Sequence, residues 1–204
     1  MAGADAADRL ATQALRLHDR YLNEVVLAYG LCPWAERVVR QGTFRRAVVS
    51  DSQPAPGALS PFIDQWLTEA PPVDIAFVIF PRLALSAAAF DGFTEKMRRA
   101  ERARRPLSES SPFLLAAFHP FGDRAFRDAN QMVAFVRRCP DPTVQLVRAS
   151  LMEQVRAAGV DVSDSVARQN FATVSARGVE ALGAILEDLR SDRDRSYREI
   201  GELG

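Results

Sequence analysis

The run Val73-Asp74-Ile75-Ala76-Phe77-Val78-Ile79-Phe80 constrains this chain more than any other segment. It follows the breaker Pro71-Pro72 and is nearly all apolar. A strand with no polar alternation has no face to offer water, so it belongs inside a sheet covered on both sides. Two further segments read as strands, Phe44 to Ser50 and Pro112 to His119, and helical stretches separate all three. Strands alternating with helices predict an α/β class fold. We expect a layered single domain with a small mixed, partly parallel sheet flanked by helices. Thr143 to Val147 is either a short fourth strand or the start of a helix reaching Ala158.

The helices follow from apolar spacing and punctuation. Leu15, His18, Tyr21, Leu22, Val25 and Tyr29 recur at three- and four-residue intervals, predicting a helix from Ala6 to about Ala28 that stops at Gly30. Pro33 then opens a short helix to about Arg40. Ser60 is the expected cap of a helix reaching Glu69, and further helices are expected near 86–105 and 128–136. A final helix from Ser163 to Leu189 ends in a charged tail expected to fray. The organisation expected is a core domain over 1–160, with the C-terminal helix and tail of 161–204 packed on it.

Composition excludes some classes of function. The 204 residues carry 26 basic and 26 acidic side chains, so no global field draws nucleic acid or an anionic membrane. The cluster Arg98, Arg99, Arg102, Arg104 and Arg105 includes Glu101 and lacks interleaved aromatics, so it reads as a solvated helix face. No apolar run is long enough for a membrane span. The first residues are acidic and lack an apolar signal core, and two cysteines make no disulfide framework. A cytoplasmic location with free thiols is expected. Lys96 is the only lysine, hence the only candidate for Schiff-base or phosphate-loop chemistry. The glycine-rich nucleotide signatures, Gly-X-Ser-X-Gly and His-Glu-X-X-His are absent.

With two cysteines and two histidines, the candidate catalytic groups are few. Cys32 stands between the end of one helix and Pro33 at the start of the next. Backbone N–H groups and the helix dipole favour a thiolate there, whereas a free cysteine is otherwise a small core residue. His119 ends the third strand and opens His-Pro-Phe-Gly-Asp, where Asp123 could orient its ring. It could serve as a base for the thiol or as a ligand. His18 lies on an apolar helix stripe and reads first as a core histidine. Arg137 and Arg138 flank the rigid turn Cys139-Pro140-Asp141-Pro142 and read first as solvated surface. Arg148, set among Leu146, Val147 and Ala149, requires a partner. A zinc set of Cys32, Cys139, His119 and His18 is conceivable, although the spacings match no compact motif. The Cys-Pro dipeptides also allow haem ligation.

Three stretches carry a family resemblance. They are Leu27-Ala28-Tyr29-Gly30-Leu31-Cys32-Pro33-Trp34-Ala35, Leu115-Ala116-Ala117-Phe118-His119-Pro120, and Arg137 through Ser150. Together they resemble the DUF1415 family of bacterial proteins over roughly residues 15 to 160. The resemblance implies that Cys32, His119, Arg138 and Arg148 belong to one constellation. The third stretch departs from the family pattern. Arg137 stands for Asn, Cys139 for Ser and Asp141 for an aromatic, which separates Cys139 from any role shared with Cys32.

The functional expectation is an enzyme with Cys32 as nucleophile or redox thiol and His119 as its base. Arg138 and Arg148 would bind an anionic group of a small molecule. The alternatives are a zinc or haem protein ligated by Cys32, His119 and His18, and a non-catalytic module that binds an anionic ligand.

Overall fold

The computed structural model describes residues 2–106, 108–122, 127–157 and 162–202. Four strands form one sheet: β1 (Phe44–Val48), β2 (Ile75–Ile79), β3 (Phe113–Phe118) and β4 (Thr143–Arg148). Their order is β1-β2-β4-β3; β1 runs parallel to β2, and β4 runs antiparallel to both β2 and β3. Every residue of β2 is buried, as its unbroken apolar run requires. Residues 143–148 form a strand and complete the mixed sheet.

Among the described residues eight α-helices surround it: α1 (Ala2–Tyr21), α2 (Ala35–Gln41), α3 (Ser60–Thr68), α4 (Ala87–Ala103), α5 (Ala129–Val136), α6 (Ala149–Ala157), α7 (Val162–Arg177) and α8 (Val179–Glu199). No helix among the described residues is long and apolar enough to cross a membrane. Alternating strand residues feed two separate cores. Ala76, Val78, Val144 and Leu146 pack with Trp66 of α3 and with Phe90 and Met97 of α4. Ile75, Phe77, Phe118 and Val147 face the other way, toward α2, α5, α7 and α8.

Three local expectations are corrected. Ser60 does not cap α3; its hydroxyl donates to the buried carboxylate of Glu101 instead. The single C-terminal helix is two, because Gly178 has φ 97° and breaks the run between α7 and α8. The tail does not fray at Leu189 but stays helical to Glu199. Asp192 accepts from Arg16 at 2.8 Å and from Arg20 at 2.7 Å, and these bonds hold its carboxyl well below the usual range. Asp141, in the turn before β4, accepts from Arg193 Nε at 2.7 Å and from the Tyr197 hydroxyl at 2.6 Å. Burial still pushes the Asp141 carboxyl upward against these two partners.

The first helix also holds a surprise. Beyond Tyr21 it continues as a π-helical segment, Leu22–Leu27, in which the Ala28 N–H reaches back to the Asn23 carbonyl at 3.1 Å. Such wide turns often accompany functional sites. Here Leu22 and Val26 form part of a cavity wall.

Candidate functional site

The cavity lies on the second face of the sheet and has a volume of about 570 Å³, within the ~300–1,000 Å³ usual for small-molecule sites. Sheet register builds its floor. Leu114, Val147, Ile75 and Phe44 form one row across the four strands, and Ala116, Gln145 and Phe77 form the next. Val26, Leu31, Trp34 and Val38 supply one wall, Val133 and Arg137 another, and Met152, Val166 and Asn170 a third. Leu114 and Val39, both well exposed, give the cavity an apolar rim.

Cys32 lines this cavity, in the turn between the π-helical segment and α2. The backbone N–H groups of Trp34 and Ala35 favour its thiolate, as a helix start should. Burial outweighs them, and the thiol pKa is raised. At neutral pH the group is therefore a thiol. Cys139 is fully buried against Thr143, and burial pushes its thiol up to about 12.

His119 lines a second, smaller cavity of about 230 Å³, together with Asp91 and Gly122. Its Nε2 lies 3.0 Å from the Leu85 carbonyl, and its Nδ1 accepts the Phe121 N–H at 3.2 Å. That pairing assigns the neutral Nε2–H tautomer, and burial lowers the ring's pKa. Both nitrogens serve backbone groups, and neither bonds to Cys32. Asp123, expected to orient this ring, lies outside the described residues.

The remaining expected residues go elsewhere. Arg148 alternates to the opposite face of β4, where Nε donates to the Val73 carbonyl at 2.6 Å and the guanidinium lies over Phe113. The partner that its apolar setting demanded is backbone. Arg138 is buried over the Phe135 ring, with Glu187 at 3.8 Å. His18 is buried against Phe77, ring centroids 4.7 Å apart, and burial lowers its pKa to about 3. Neither of its nitrogens has a hydrogen-bond partner among the described residues. Among the described residues no group of three or more Cys, His, Asp or Glu side chains could hold a metal ion. Cys32, His119 and His18 therefore do not converge as ligands.

Arg137, which reads as surface in the sequence, lines the larger cavity, whereas Arg138 and Arg148 do not. Its guanidinium lies over the Phe118 ring at 5.3 Å, and its side chain walls both cavities. Burial lowers its pKa, and no hydrogen bond or ion pair joins the guanidinium to another described residue.

A family model described as a protein of unknown function, DUF1415, matches residues 13–184. The chain belongs to that family. No curated protein and no solved structure matches it.

In this DUF1415 protein the sequence reading misses Arg137, Gln145 and Asn170. Arg137 reads as surface because it precedes a second arginine and a turn. Gln145 carried a usable signal: in Thr-Val-Gln-Leu-Val-Arg it shares a strand face with Val147, opposite Leu146. Asn170 carried none, since α7 has almost no apolar periodicity.

Proposed function

We propose that this chain binds a small molecule with a largely apolar body and one anionic group. The body occupies the larger cavity and the anion meets Arg137. One observation carries this reading: a half-buried guanidinium, with no hydrogen bond or ion pair to another described residue, stands at the wall of an apolar chamber. A desolvated, uncompensated cation is costly, and an anion in charge-assisted hydrogen bonds removes that cost. Arg148 and Arg138 are already engaged by carbonyls, rings and Glu187, so Arg137 is the better anion site. The test is calorimetric titration with undecanoate at fixed salt, with 1-undecanol as the neutral control. Saturable binding is expected, weakened tenfold or more by Arg137→Gln and weak for the alcohol. Absence of saturable undecanoate binding would overturn the reading.

A second reading makes Cys32 a nucleophile toward the bound molecule. It is favoured by the N–H groups of Trp34 and Ala35 that oppose the effect of burial on the thiol. Its proton acceptor would be the ligand, or His119 Nδ1 after it leaves the Phe121 N–H. Alkylation by iodoacetamide tests it. The rate should climb above the ordinary thiol pKa range and fall when undecanoate is bound. Equal alkylation of wild type and Cys32→Ser removes this reading.

A further inference from the structure

Three amides line the larger cavity: Asn130, which is exposed, and the less exposed Asn170 and Gln145. Asn170, on α7, is only 6% exposed and lines the cavity. Gln145 is the one polar residue of the floor, held between Phe77 on β2 and Ala116 on β3. No hydrogen bond joins either side chain to another described residue. Gln145 is half-buried, and neither amide is shut off from solvent without a partner, so both meet the open chamber; a ligand that fills it takes that solvent away and has to hydrogen-bond them instead. The remaining floor residues and the aromatic wall need no such partner. Tyr21, which also lines the cavity, already donates its hydroxyl to the Val136 carbonyl at 2.6 Å.

A primary amide offers both donors and an acceptor. Two such groups facing one chamber suit a ligand group that also presents both, at a point along an otherwise apolar body. We propose that the ligand is an acylated amino acid or a close analogue. Its carboxylate lies on Arg137, its internal amide is held by Gln145 and Asn170, and its acyl chain lies on the apolar floor toward Leu114 and Val39. This proposal rests on the anion reading above and adds the amide to it. A plain fatty acid would fill the same space yet leave both side chains unsatisfied, and such unpaired groups are the strongest source of discrimination in binding sites.

The experiment compares N-octanoylglycine with undecanoate on the full-length chain by calorimetry. N-octanoylglycine should bind at least tenfold more tightly to wild type. In Gln145→Leu and in Asn170→Leu that advantage should shrink toward parity, with undecanoate affinity held or improved. Melting curves of the free variants establish that they fold, and replacing a cavity-lining amide that bonds to no other described residue should not lower them. Equal binding of the two probes by wild type overturns the amide assignment, while Arg137-dependent undecanoate binding leaves the anion reading standing. An N-octanoylglycine advantage that survives both substitutions also overturns it. Binding of neither probe overturns both readings.

Discussion

The two faces of the sheet are made of similar residues and packed to different ends. Under α3 and α4, Trp66, Phe80, Phe90 and Met97 close over Ala76, Val78, Val144 and Leu146. Among its buried polar groups Ser60 and Glu101 serve each other, while the Thr94 hydroxyl on α4 has no partner among the described residues. On the opposite face Phe44, Phe77, Phe118 and Trp34 surround a chamber, and no hydrogen bond or ion pair joins the side chains of Arg137, Gln145 and Asn170 to another described residue. A core selected for stability alone is expected to fill and satisfy itself. The contrast separates the face that holds the fold together from the face built for something outside it.

The comparison can be broken first by truncating a large ring on each face. Phe90→Ala in the closed face should cost about 3–5 kcal/mol in denaturant unfolding. Phe44→Ala at the cavity floor, half-buried on an edge strand, should cost less than about 2 kcal/mol because space is already present. Similar losses at both positions would end the distinction.

The arginines sharpen it. Arg148→Met removes donors from the Val73 and Trp66 carbonyls and should lower stability by about 1–3 kcal/mol, with undecanoate affinity unchanged. Arg137→Met should do the reverse, keeping or raising stability and losing affinity. The family resemblance groups Arg148 with Cys32, and this pair of variants tests whether they act together.

The smallest effect is on pH dependence. The His18 pKa falls to about 3 in the folded chain because its buried ring resists charge. Between pH ~6.5, where a free histidine titrates, and that value, the unfolded state binds the extra proton. Stability should therefore fall with falling pH in this window, by about 1.4 kcal/mol per unit from this group. His18→Leu should flatten the slope measured between pH 6 and 5. An unchanged slope would mean that His18 is not buried as a neutral ring.

The architecture was legible because its signals are local. The apolar β2 run and the prolines at 71 and 72 each act through their own backbone, and the helix expected near 86–105 starts where Ser86 accepts the Ala89 N–H. Cys32 was legible for the same reason. Ser60 misled because a distant carboxylate competes for its hydroxyl, and no spacing rule sees Glu101 from position 60. That Arg148 lies away from the cavity was hidden by strand geometry. Arg148 and Gln145 sit three residues apart on β4 and so face opposite sides, but whether 143–148 was strand or helix was unsettled in the sequence. Arg137 depends on where α5 ends against Phe118, a tertiary fact.

The π-helical segment has a consequence for mutation. An i to i+5 turn holds one residue more than an α-helix would use over the same length. Deleting a single residue there, Asn23 for example, would let α1 run on with ordinary hydrogen bonding. Everything after it would then swing by about 100° and advance by about 1.5 Å, the increment of one α-helical residue. Leu31, Cys32 and Trp34 would leave the chamber wall together, with no change to any of them. The placement of the thiol is thus carried by one surplus residue a full turn upstream, and a deletion there would act as a site mutation.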